Sequence, residues 1–165
     1  MKSLLVFCSA FIVLLVTAGC NKEVSSSTSY AFTGKLSTGS SFNLTNSNAY
    51  FFSDSLNGQK FIEILGVISV QSKDTTQAVI GISGLSKTGT YPLTTLTSTS
   101  PTSCIIGYAI GKHGWVSIAT TDATGPGTFT VTAISKSSIT GTYAARLTDS
   151  LNNTITMTGT FNGNF

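Results

Sequence analysis

The last twelve residues, 154-TITMTGTFNGNF-165, decide the fold. Ile155, Met157, Gly159, Phe161, Gly163 and Phe165 fall on one parity, and Thr154, Thr156, Thr158, Thr160, Asn162 and Asn164 on the other. Successive side chains of an extended chain point to opposite faces, so this pattern is a half-buried antiparallel strand. The two segments before it behave alike. In 127-GTFTVTAIS-135 the inward set is Phe129, Val131 and Ala133; in 138-SITGTYAARL-147 it is Ile139, Gly141, Tyr143, Ala145 and Leu147. Lys136-Ser137 and Asp149 to Asn153 punctuate the three, which predicts a three-strand meander.

Working outward from there, strand-like runs recur as 30-YAFTGKL-36, 49-AYFFSD-54, 60-KFIEILGVISV-70, 77-QAVIGISGL-85, 89-GTYPL-93, 104-CIIGYAI-110 and 115-WVSIAT-120. Gly, Asn, Ser and Pro separate them at strand-scale spacing, and nothing persuasive repeats at the helical period of 3.6. Nine or ten short strands with Thr-rich outer faces predict one all-β domain over residues 30–165. The expected layout is a single antiparallel β-sandwich with a C-terminal meander, or alternatively a small closed β-barrel. The run 60–70 is apolar on both faces apart from Glu63, as expected of a central strand covered on both sides, and 94-TTLTSTSPTS-103 reads as an exposed loop.

The other end of the chain carries different information. Met1-Lys2-Ser3 precede an apolar run from Leu4 to Val16, followed by the small residues Thr17, Ala18 and Gly19 and then Cys20. A charged start, a short apolar stretch and a small-residue cleavage site form an export signal too short to remain as a membrane-spanning helix. With the cysteine directly after it, 16-VTAGC-20 resembles the lipobox of bacterial lipoproteins. That resemblance implies a leader over residues 1–19, cleavage before Cys20, and a diacylglycerol thioether on its sulfur with further acylation of the new amine. Residues 21–29, NKEVSSSTS, then form a polar tether with a reach of roughly 16 Å.

Charge and cysteine usage narrow the function. Lys2 leaves with the leader, and the remaining eight basic residues are scattered singly among six acids. No basic run or patch is present to hold a nucleic acid. Of three cysteines, Cys8 is removed and Cys20 carries lipid, so Cys104 has no disulfide partner and is expected to be a small buried hydrophobe.

Few residues carry chemistry. The single histidine and single tryptophan lie together in 110-IGKHGWV-116. His113 and Trp115 could contact a ligand, but Gly111-Lys112-His113-Gly114 also reads as a four-residue hairpin loop between two strands. Catalysis at His113 would require a serine or aspartate brought in from another strand. No serine lies in a G-x-S-x-G elbow, no acids are paired for glycoside hydrolysis, and one His with one thiol cannot make a zinc site, so no cofactor or metal is expected. The related stretches 53-SDSLNG-58 and 148-TDSLNN-153 have the composition of hairpin turns.

The layout as a whole resembles a group of small Bacteroidota lipoproteins: the lipobox, the tether, a GTYPL-like segment at Gly89 to Leu93, and the closing meander from Gly127 to Phe165. The group has no assigned activity, so no catalytic residue is carried over. The resemblance implies an outer-membrane address, consistent with Asn21 rather than Asp after the cysteine, while Asn21-Lys22-Glu23 leaves open which side of that membrane the domain faces. Asp54-Ser55-Leu56, Asp74-Thr75-Thr76 and Asp149-Ser150-Leu151 also match the O-glycosylation pattern of exported proteins in that phylum, which would place sugars on Ser55, Thr75 and Ser150. The expected function is a non-enzymatic, membrane-anchored binding or structural module with a glycan, peptide or envelope-protein partner. A hydrolase centred on His113 and an inhibitor or immunity-type lipoprotein are the alternatives.

Overall fold

The computed structural model describes residues 30–56, 59–70, 75–93, 102–117 and 125–165. Cys20, the leader and the tether lie outside the described residues, as do Asp74 and the 94–101 part of the expected loop. The described chain is all β and antiparallel. Its strands are β1 (Ala31–Leu36), β2 (Ser41–Thr45), β3 (Ala49–Leu56), β4 (Gln59–Val70), β5 (Thr75–Ser83), β6 (Gly89–Pro92), β7 (Ser103–Ile110), β8 (His113–Val116), β9 (Gly127–Ile134), β10 (Ser138–Thr148) and β11 (Thr154–Asn164).

The expected meander is present with one departure in β9: Ala133, expected inward, is exposed and Ile134 packs on the core instead, because Thr132 is an extra residue at a bulge and shifts the parity. β10 pairs with β11 without interruption from Ser138↔Asn164 to Thr148↔Thr154, and β9 lies on the other side of β10 with one bulge between Thr140 and Gly141. From this unit the sheet runs β2-β1-β11-β10-β8-β7-β5-β4-β3, with β6 attached to β9. Of the two layouts the pattern allows, the chain takes the barrel: the sheet curls until it is nearly closed. The N–H of Val67 donates to the carbonyl of Asn48 at 2.9 Å, extending the β3–β4 ladder one pair beyond Ala49↔Gly66.

Burying one face of most strands inside the curl produces the core, and in β10 and β11 the inward parity matches the sequence pattern residue for residue through Phe161 and Gly163, Gly159 alone being only half-buried. Phe32, Ile62, Ile64, Ile80, Ile82, Ile106, Phe129, Ile139, Leu147, Met157 and Phe161 are almost wholly enclosed. Phe129 and Phe161 stack with centroids 4.9 Å apart and planes 1° from parallel. Gly163 leaves room for Phe51 to cross from the opposite wall: a Cβ there would stand 2.6 Å from that ring. Cys104 is buried in this core as expected, and burial pushes its thiol far above the ordinary range.

Three elements differ from the sequence reading. β2 pairs with β1 from Ala31↔Thr45 to Lys35↔Ser41, where only polar punctuation is evident in 41-SFNLT-45; Phe42 and Leu44 alone carry its alternation. Ser103 belongs to β7 rather than to a loop, buried and hydrogen-bonded to Ser83 at 3.0 Å. β4 is one strand in from the edge rather than central: its inner face is core, while Phe61, Leu65 and Val67 on its outer face are only half-buried.

Candidate functional site

Two places on the barrel gather side chains whose chemistry exceeds packing. The first is the end formed by the β7–β8 and β10–β11 turns. Ile110 pairs directly with His113, so the turn is the two residues Gly111-Lys112 and not the four-residue loop expected. Gly111 supplies the positive φ, 56°, whereas His113 and Gly114 are strand residues. His113 and Trp115 are therefore two apart on β8 and share a face, their rings 4.2 Å apart. Trp115 in turn packs against Tyr108, centroids 6.1 Å apart.

Asp149, the residue after β10, reaches this face, and its Oδ2 lies 3.0 Å from His113 Nε2. The sequence reading placed Asp149 in a turn without joining it to His113; 36 residues separate them, and only the β10–β8 pairing Thr148↔Val116 brings them level. Asp149 is buried although it is charged, because its hydrogen-bond capacity is used. Oδ1 accepts from the N–H of Leu151 and of Asn153, both at 2.8 Å, and Oδ2 also accepts from Asn153 Nδ2 at 2.9 Å. The Asn153 side chain above all holds the carboxyl down to about 2, with both backbone donors and His113 adding to it against the opposing pull of burial. The carboxylate braces the turn and fixes the ring. Among the described residues, no hydroxyl or thiol is hydrogen-bonded to His113, and no three metal-ligating side chains come together.

The second place is the outer face of β3 and β4. Phe51 points into the core, and the alternation sends its neighbours Tyr50 and Phe52 outward, 40% and 42% exposed. The two rings lie 6.4 Å apart, 11° from parallel, and the Tyr50 hydroxyl donates to the Ser47 carbonyl at 2.8 Å. In register beside them on β4 stand Leu65 and Glu63, and beyond those on β5 Val79 and Gly81. Half-buried Phe61, Leu65, Val79 and Ile105 extend the apolar surface. The far side of the barrel is different: Thr142, Thr156, Thr158 and Thr160 are exposed there.

Among the described residues, one buried carboxyl sits within the apolar face. Glu63 is 6% exposed, its Oε1 has no hydrogen-bond partner, and burial raises its pKa to about 7. Sequence reasoning noted Glu63 as an exception to an apolar run and went no further. The signal was its parity, since Ile62 and Ile64 face the core and therefore turn Glu63 outward.

The remaining expected sites scatter. Ser150 is exposed in the Asp149–Asn153 turn beside Leu151, which is 74% exposed. Thr75 is half-buried at the start of β5, its carbonyl accepting from Gly111 N–H. Asp54 and Ser55 lie within β3, opposite Phe61 and Lys60, rather than in a turn; the Ser55 side chain is outside the described set. Among the described residues no helix is long and apolar enough to cross a membrane. Compared with known proteins, the chain matches no family model, no curated protein and no solved structure.

Proposed function

We propose that this protein is a lipid-anchored lipoprotein of the bacterial outer membrane whose barrel is a non-enzymatic binding module for an envelope partner. One observation carries the binding part: the stacked pair Tyr50 and Phe52, exposed at the head of an apolar sheet face while the opposite face is threonine. Contiguous exposed apolar surface of this kind marks interaction sites on folded proteins.

The 16-VTAGC-20 lipobox pattern supports the anchor, and on that reading the end at which the chain enters the barrel is the tethered one. The chain enters the barrel at Ala31, level with Asn162, and β11 runs eight residues back from there to Thr154 beside the Asp149 turn. At about 3.4 Å per residue this is about 27 Å. Tyr30 stacks on Phe51 at 5.6 Å, so β3 and its aromatic pair lie at the tethered end and the His113 turn at the far end.

Metabolic labelling with a palmitate analogue tests the anchor. The wild type is expected to take up label and fractionate with the outer membrane, and Cys20→Ala to lose both. Persistent label in Cys20→Ala would refute the anchor.

A further inference from the structure

We propose that the β3–β4 outer face is a recognition site for a peptide partner's basic side chain, lysine or arginine, whose stem lies on Tyr50 and Phe52 while its cationic head pairs with Glu63. The inference rests on the reading of this face as a binding surface and adds the chemistry that the surface selects.

Glu63 is the centre of the case. A buried carboxyl oxygen without a donor is costly in a folded protein, and such groups are retained where something supplies the missing partner. Among the described residues, the register neighbours of Glu63 cannot do so. Phe52 stands on one side and Gly81 on the other, with Phe61 and Leu65 two residues away along its own strand. Gly81 has no side chain to donate to the carboxyl, and the Phe61 ring and the Ile105 methyl that lie over it are apolar.

Among the described residues, the titratable groups sharing this face with Glu63 are Tyr50, whose hydroxyl is turned to Ser47, and Asp54, itself an acid. The described cation on the same strand, Lys60, lies on the other parity with its Nζ 4.3 Å from the Phe165 ring centroid. In Glu63 the surface thus presents an acid without a counter-charge among the described residues, framed by aromatic rings.

A cation on an apolar stem meets each of these features. With the Glu63 carboxyl swung outward to meet it, its N–H groups satisfy the carboxylate, its charge offsets the desolvation that lifts the carboxyl to about 7, and its methylenes cover apolar surface next to two exposed rings, which also attract cations. A neutral ligand would cover the rings and could donate at most a neutral hydrogen bond, leaving the carboxylate without a counter-charge.

The test compares two probes with the same stem, n-butylammonium and n-butanol. Each is titrated into the lipidated protein in neutral maltoside micelles, reading the methyl NMR signals of Leu65, Val79 and Ile105. Butylammonium is expected to bind at least about tenfold more tightly than butanol, and the preference to fall below about twofold in Glu63→Gln, whose unperturbed core methyls show that it is folded. Equal binding of the two probes to the wild type would overturn the cation assignment and leave the binding surface standing. Absence of any shift with either probe would overturn both.

Discussion

Replacing Phe161 with alanine is expected to lower the free energy of unfolding by about 3–5 kcal/mol. The ring is 1% exposed, stacks on Phe129 from β9, and is level with Phe32 on β1 and Gly141 on β10. It therefore joins three strands besides its own. Gly141 has no Cβ because one would meet the Phe161 ring and the Thr130 carbonyl, so the wall cannot close in to fill the space that alanine leaves. Urea titration should show a lower midpoint with an unchanged slope, since the surface exposed on unfolding hardly changes. Thr158→Ala, on the exposed parity of the same strand, should stay within about 0.5 kcal/mol. A loss below about 1 kcal/mol for Phe161→Ala would mean that the meander is not the keystone of the barrel.

The second large effect is expected at Gly159. The β1–β11 ladder pairs Phe32 with Phe161 and Lys35 with Thr158, but between them the bonds go elsewhere. The Tyr143 hydroxyl donates to the Thr33 carbonyl at 2.7 Å, and the N–H of Thr160 donates to Thr33 Oγ1 at 3.0 Å. The phenol passes through this opening because Gly159, its cross-strand neighbour, has no side chain. A Cβ at position 159 would overlap the Thr33 carbonyl oxygen, which belongs to the backbone and cannot swing aside, and would press on the Tyr143 hydroxyl. Gly159→Ala should therefore cost about 3 kcal/mol, the upper end of ordinary overpacking. Hydrogen exchange should place the damage first in β1, whose amides would lose protection ahead of β10. Wild-type stability and exchange in Gly159→Ala would show that the opening is not rigid.

The legibility of this fold in its sequence follows from how each strand is buried. Where one face meets the core and the other meets water, as in β10 and β11, apolar and threonine residues alternate and the strand can be read directly; in β9 the bulge at Thr132 breaks the alternation and leaves Ala133 outside. β2 escaped notice because two apolar residues, Phe42 and Leu44, are too few to stand out among Ser, Asn and Thr. The two-residue turn before His113 was masked by Gly114, a strand glycine that resembles turn composition.

The sites were less legible for a different reason. His113 and Trp115 are two residues apart and could be grouped by parity, but the Asp149 partner depends on which strands become neighbours, and local pattern carries no information about that. Tyr50, Phe51 and Phe52 were legible as an alternating triplet; which parity would face outward was settled only by Phe51 packing inside. For Glu63 the residue type and position were plain, and its significance lay in Phe52 and Gly81, supplied by two other strands.

On the proposed function, the outer face of β3 and β4 is where the anchored barrel meets its partner. The most direct test places a photo-crosslinking amino acid at position 52, and separately at position 142 on the threonine face, in the full-length protein in intact cells. Position 52 is expected to give discrete adducts that Glu63→Gln weakens, and position 142 none. Adducts at both positions alike, or none at position 52, would contradict the account.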